Sequence, residues 1–153
     1  MRIEGLYRLV SAVPPMRVGN PSYNVDRMVE MYAAAVKRGA AVVLFPELSV
    51  TGYTCGDLFE QQTLLTTALT GLERLRAATV GQSAVLIAGL PLLKGTRLFN
   101  VAAVLQDGRL LAFVGKTYLP NYREFYEKRQ FCSIREHDGS PVEINGELVP
   151  LGQ

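Results

Sequence analysis

No apolar run in this 153-residue sequence approaches the roughly 18 residues of a membrane-spanning helix, so no membrane segment is expected. The formal net charge is only +2, with acids and bases interspersed, and a basic pair such as Lys128-Arg129 is too short to line a polyanion groove. Nucleic acid is therefore not an expected partner. Cysteine is scarce: Cys55 and Cys132 lie far apart and form no C-x-x-C pair, which reads as two free thiols in a reducing compartment. The opening Met1-Arg2-Ile3-Glu4-Gly5 carries an acid and a glycine where a secretory leader would be apolar, so a cytoplasmic location is expected. Neither G-x-G-x-x-G nor G-x-x-x-x-G-K-[ST] occurs, which leaves no dinucleotide fingerprint and no phosphate loop. No metal site is expected, and the chain has no internal repeat or low-complexity linker.

What is present is globular in composition. With 48% apolar and 20% charged residues, the chain is long enough for one domain with a core. Residues 6–13 read as a buried strand ended by Pro14-Pro15. Asn20-Pro21 reads as a helix cap followed by a first-turn proline; Val25, Met28, Val29, Tyr32 and Val36 then share one helical face, and Gly39 stops it. Residues 41–45 form a continuous apolar run, the pattern of a strand buried on both faces. Asp57 and Glu60 have capping-box spacing, and Leu65, Ala68, Leu69, Leu72 and Leu75 or Arg76 carry a helical stripe to about Thr79. Residues 84–89 read as a third strand closed by Pro91. Asp107-Gly108 joins residues 100–106 to 109–114 as a hairpin, and Asn145-Gly146 joins 141–144 to 147–149 as a smaller one. The order β-α-β-α-β with antiparallel additions predicts an α/β fold with a mixed sheet.

Two charged residues follow strongly apolar runs directly. Ala41-Val42-Val43-Leu44-Phe45 delivers Glu47, and Leu110-Leu111-Ala112-Phe113-Val114 delivers Lys116. Strand carboxyl ends are where open α/β sheets usually keep their chemistry, and a charge beside a core needs a partner. One polar site holding both Glu47 and Lys116 is the expectation. Taken singly, Glu47 reads as a loop acid capping a helix and Lys116 as a solvated lysine. Cys55 lies a few positions after Glu47, but a small thiol between Thr54 and Gly56 reads as packing rather than a displaced nucleophile. Cys132 has no nameable activating partner. His137 reads as a solvated loop residue, and Tyr118 and Tyr126 as core.

The run Val43-Leu44-Phe45-Pro46-Glu47-Leu48-Ser49-Val50-Thr51-Gly52-Tyr53 resembles the glutamate motif of the nitrilase superfamily of carbon–nitrogen hydrolases, and residues 115–131 resemble its lysine motif. The continuations, Gly52-Tyr53-Thr54-Cys55-Gly56-Asp57-Leu58-Phe59 and Tyr118-Leu119-Pro120-Asn121-Tyr122-Arg123-Glu124-Phe125-Tyr126-Glu127-Lys128-Arg129, are similar to bacterial glutamine-dependent NAD⁺ synthetases. The resemblance runs from about Gly5 to Phe131. It implies the N-terminal half of an αββα sandwich, with residues 1–153 as the first portion of a glutaminase domain and the synthetase domain absent.

The resemblance also implies a Glu–Lys–Cys triad: Glu47 as general base, Lys116 on the oxyanion, and a nucleophilic cysteine in a motif beyond Gln153. Tyr53, Tyr122 and Glu127 match positions that hold the glutamine head group, with Glu127 on the α-ammonium. Phe125 would form the pocket wall, and Glu124 has the spacing of a second, structural glutamate; which of Glu124 and Glu127 faces the pocket stays open. Implied partners are glutamine, the C-terminal half of the domain, the synthetase domain and further copies in a homo-oligomer. ATP, Mg²⁺ and deamido-NAD belong to the synthetase domain, so no cofactor is expected in this portion and the chain alone is expected to be inactive. The rival readings are a stand-alone amide or nitrile hydrolase of the same superfamily, and a non-catalytic interaction module.

Overall fold

The computed structural model describes residues 5–153, so Met1 to Glu4 of the opening segment lie outside the described residues. The chain runs β1 (Arg8–Ser11), α1 (Pro21–Lys37), β2 (Ala40–Leu44), a 3₁₀ turn (Gly56–Glu60), α2 (Gln62–Ala78), β3 (Val85–Lys94), β4 (Arg97–Gln106), β5 (Arg109–Gly115), the short α3 (Glu127–Gln130), a second 3₁₀ turn (Ile134–Glu136), β6 (Val142–Ile144), β7 (Glu147–Val149) and β8 (Leu151–Gly152). One mixed sheet has the order β1-β2-β3-β4-β5-β8, and β6-β7 is a separate hairpin. Strands β1, β2 and β3 are parallel, β3-β4-β5 form an antiparallel meander, and β8 pairs parallel to β5. The expected α/β class and mixed sheet are observed.

Local chemistry accounts for the main elements. The Asn20 side chain accepts the Tyr23 N–H at 3.0 Å and Pro21 opens α1, as the Asn-Pro pair predicts. Gly39, at φ +79°, takes the left-handed position that ends α1. Asp107 (φ +47°) and Gly108 (φ +69°) make the tight primed turn between β4 and β5, and Asn145 and Gly146 repeat it between β6 and β7. Helices α1 and α2 lie together on one face of the sheet. Val25, Met28 and Tyr32 from α1 and Leu72 and Leu75 from α2 pack there against Val43, Leu86, Ala88 and Leu105. Tyr32 keeps its hydroxyl satisfied by donating to the Ala84 carbonyl at 2.8 Å.

Away from the segment that follows β2 and crosses β3, the opposite face of the sheet is uncovered among the described residues. In β2, Val43 is fully buried while the next residue, Leu44, is 46% exposed, so this strand is not buried on both faces. Strand β1 is also more exposed than its apolar sequence predicts, with Leu9 70% exposed. Leu44 pairs with Ile87, Ile87 with Val104 and Val104 with Ala112, so these side chains share the uncovered face with Leu9 and Val114. The apolar character of β1 and β2 is a property of a face that nothing in these residues covers.

Two further expectations are corrected. Pro91 does not close β3; the strand continues to Lys94. The carbonyls of Ile87 and Gly89 accept from Phe45 and Val50 on the β2 side, and Pro91, two residues on, faces the same side after β2 has ended. Its missing N–H therefore costs no ladder bond. Asp57 and Glu60 do not cap α2 either. They lie in the 3₁₀ turn, α2 starts at Gln62 without a side-chain cap, and Asp57 pairs with Arg129 at 3.1 Å.

An exposed apolar sheet face and two open edges favour association. The chain is expected to self-associate with rising concentration in light scattering, and Leu44→Lys combined with Val114→Lys is expected to suppress it. A monodisperse wild-type monomer with a sharp two-state denaturant transition would contradict this account of the face.

Candidate active site

Strands β2 and β5 run in the same direction with β3 and β4 between them, so they lie about 14 Å apart across the sheet at ordinary strand spacing. Glu47 and Lys116 meet only because the chain after β2 turns and crosses over β3. That crossing needs Gly89. A Cβ there would lie 2.3 Å from the Leu48 nitrogen, 2.7 Å from the Pro46 oxygen and 2.9 Å from the Glu47 carbonyl carbon. The crossing loop is held by bonds from Val50 N–H to Gly89 O (3.0 Å) and Gly52 N–H to Leu48 O (2.7 Å). Leu48 sits at φ +50°, an unusual conformation for a branched residue, and its side chain is fully buried. Asn24 of α1, also fully buried, donates to the Val50 carbonyl at 3.1 Å and anchors the loop from behind.

Lys116 is fixed as firmly. Its N–H donates to Asn100 O at 2.8 Å, and its carbonyl accepts from Ile134 N–H at 3.0 Å. Gly115 lets Ile134 close onto β5, since a Cβ at 115 would lie 2.4 Å from the Ile134 side chain. Glu127 arrives at the start of α3 and is 5% exposed.

The three segments converge on one cation. Lys116 Nζ donates to Glu47 Oε1 at 2.7 Å and to Glu127 Oε1 at 2.8 Å. Tyr53 Oη donates to the same Glu127 oxygen at 2.6 Å, and Asn100 Nδ2 donates to Glu47 Oε1 at 2.5 Å. Burial, the largest single influence on Lys116, disfavours its charge, but the hydrogen bonds and charges of Glu127 and Glu47 outweigh it, so its pKa lies above the ordinary lysine value. Burial first, then the Glu127 bond and the two carboxylate charges, push the Tyr53 phenol up. Glu47, Lys116 and Asn100 face an open cleft of about 560 Å³, whose other walls include Leu44, Ile87 and Val114 of the bare sheet face.

Not every predicted residue joins this cluster. Of the two glutamates left open, Glu127 is inside it and Glu124 is exposed. The Tyr122 ring is 64% exposed and packs edge to face on Phe125 at 5.7 Å. Tyr122, Glu124 and Phe125 form no hydrogen bond with Glu47, Lys116 or Glu127. Tyr118 and Tyr126, read as core, are 74% and 65% exposed. Cys55 is buried with its thiol donating to the Thr51 and Gly52 carbonyls, and burial pushes its pKa up. Cys132 donates its N–H to Leu98 O and is half-buried. His137, read as solvated, has a side chain only 4% exposed, stacked edge-on to Phe99 and hydrogen-bonded to the Ser140 carbonyl. The residue that sequence reasoning missed is Asn100. Its signal was there: a lone amide within the otherwise apolar run from Leu98 to Leu105.

This fold, a mixed sheet flanked on one face by two helices, agrees with that of carbon–nitrogen hydrolases. Residues 9–142 match that family, and the chain belongs to it. It is 34% identical over 149 residues to the glutamine-dependent NAD(+) synthetase of Mycobacterium tuberculosis, a match that spans 97% of this chain and 22% of that protein. The glutamine-dependent NAD(+) synthetase of Cytophaga hutchinsonii superposes with a TM-score of 0.89 at 23% identity, over 95% of this chain and 25% of that one. A nitrilase-superfamily amidase from Nesterenkonia superposes with a TM-score of 0.72 at 25% identity, over 92% of this chain and 52% of that one. The chain thus spans about a quarter of the length of the synthetases it matches. The expected nitrilase-like fold class is the one found. Among the described residues no helix is long and apolar enough to cross a membrane.

Gly89→Ala places a Cβ against backbone that has no room to retreat. It is expected to cost about 3 kcal/mol, the upper end for overpacking, and to shift the Glu47 and Leu48 amide resonances. Unchanged denaturant midpoint and amide spectrum would show that the loop does not depend on that glycine.

Proposed function

We propose that this chain carries the general base and the oxyanion-stabilising cation of a glutamine amidohydrolase site, the ammonia-supplying part of a glutamine-dependent NAD⁺ synthetase. The observation that supports it most is the Lys116 ammonium held between Glu47 and Glu127, in a chain 34% identical to such a synthetase. With its pKa raised, Lys116 is an ammonium at neutral pH, which suits the cation's role rather than the base's. Its fitting task is to neutralise the oxyanion that forms when an amide carbonyl is attacked. Glu47 lines the cleft with a side chain 40% exposed, and it is the acid left to accept a proton.

The nucleophile in this reading is a cysteine thiol. The Nesterenkonia amidase has an active-site cysteine. Neither Cys55 nor Cys132 bonds to Glu47 or Lys116, so the thiol comes from residues outside this sequence. Glu47 takes the thiol proton, and the thiolate adds to the carboxamide carbon. The tetrahedral intermediate then collapses to a thioester as the amine leaves with the Glu47 proton as ammonia. A water, deprotonated by Glu47, adds to the thioester; glutamate departs and the thiol regains its proton.

Glu127 first of all positions Lys116, and its buried Oε2, without a partner among the described residues, is the acceptor a glutamine α-ammonium would satisfy. Tyr53 and Tyr122 supply the remaining head-group contacts in this reading, and Phe125 forms the pocket wall. The partners are the rest of the hydrolase domain, a synthetase domain and further copies in a homo-oligomer. ATP, Mg²⁺ and deamido-NAD belong to the synthetase part; among the described residues no three His, Cys, Asp or Glu side chains converge to hold a metal, and no step runs through these groups.

The purified chain is expected to release no ammonia from glutamine. Substituted for the matching residues of a glutamine-dependent NAD(+) synthetase, it is expected to support glutamine hydrolysis, with Glu47→Gln and Lys116→Met each lowering kcat by about 10²–10³-fold. Turnover by the isolated chain that is lost in Cys55→Ala or Cys132→Ala would refute the assignment. So would a chimera indifferent to both Glu47→Gln and Lys116→Met.

A further inference from the structure

Asn100 is an amide in the middle of β4, 4% exposed and flanked by the buried Phe99 and Val101. A polar group in such a place is costly unless it is paired. Its main chain and its side chain are both committed to the site. Its carbonyl accepts the Lys116 N–H at 2.8 Å, while its Nδ2 donates to Glu47 Oε1 at 2.5 Å. Lys116 Nζ donates to the same oxygen at 2.7 Å. Glu47 Oε1 is therefore taken by two donors. No hydrogen bond reaches Glu47 Oε2 among the described residues, although the side chain lines the cleft.

We infer that Asn100 is a positioning residue that pins Glu47 Oε1 and so reserves Oε2 as the oxygen that takes the proton. The inference rests on the reading of Glu47 as the base. A carboxylate held by Lys116 alone can rotate about its last bond and offer either oxygen, because an ammonium on a flexible stem follows it. An amide fixed in a strand does not follow. It sets the carboxylate plane, and because the same residue receives the Lys116 N–H, base and cation keep one register. A carboxylate cannot replace it, since two acceptors would then face each other, and an apolar side chain offers no donor.

The test uses the ¹⁵N,¹³C-labelled 153-residue chain and needs no turnover. In the wild type, couplings across hydrogen bonds are expected from Asn100 Nδ2 and from Lys116 Nζ to the Glu47 carboxyl carbon, and from Lys116 Nζ to the Glu127 carboxyl carbon. In Asn100→Leu the Lys116-to-Glu47 coupling is expected to vanish or weaken several-fold while the Lys116-to-Glu127 coupling persists. A purely structural role for Asn100 would lower stability and leave both Lys116 couplings as they were, which would overturn the inference. Absence of the Asn100-to-Glu47 coupling in the wild type would overturn it without any variant, so a leucine variant that fails to fold does not protect it. Because the readout is geometric, its failure leaves the amidohydrolase reading standing, and an inactive chimera leaves these couplings untouched.

Discussion

The Lys116 ammonium ties together three segments that the topology brings to one end of the sheet from different directions: the loop after β2, the end of β5 and the start of α3. Its two carboxylate partners differ in solvation, with Glu47 40% and Glu127 5% exposed at the side chain. Removing the cation would leave a nearly buried anion beside a second one, an arrangement far more costly than either salt bridge is worth by itself. The strongest backbone constraints in the chain serve this convergence. Gly89 admits the crossing loop, Gly115 admits Ile134, and Leu48 holds a left-handed conformation at the crossing. Strain of this kind persists where the surrounding structure over-determines it, and it stands directly beside the charged cluster.

The same end of the sheet is where fold and chemistry share a deficit. Helices α1 and α2 cover one face, while Leu44, Ile87 and Val114 line the cleft on the other. An ion pair that neutralises an oxyanion is strongest where water is kept out. With one wall of the cleft open, Glu47 and Lys116 are oriented but only partly desolvated. The bare apolar face and the half-open site thus call for one and the same cover.

Turn chemistry was the most legible part of the sequence. Asp107-Gly108, Asn145-Gly146 and Asn20-Pro21 act through local sterics and bonding, so their outcome needs no tertiary knowledge. The meeting of Glu47 and Lys116 was also legible, because both follow apolar runs and a charge there needs a partner. What stayed hidden depended on neighbours. The sequence of β2 does not say which faces are covered. Pro91 fits inside β3 only because β2 has already ended. Glu124 and Glu127 are three residues apart on an irregular segment, and only the position of α3 turns one inward. His137 reads as a loop residue until Phe99 is found beside it.

Every role proposed for the site depends on Lys116 being a clamped ammonium and not a latent base. Following the ¹⁵Nζ resonance of Lys116 against pH tests this directly. A folded-state pKa raised above the unfolded value means that the stability contributed by this pairing is complete at neutral pH and is lost as pH rises through the folded value. The predicted result is a signal that titrates above the ordinary lysine value, with Glu47→Gln and Glu127→Gln each lowering the midpoint. A resonance that titrates between about pH 7 and 9, well below the ordinary lysine value, would make Lys116 available as the base and would contradict the roles of both Lys116 and Glu47.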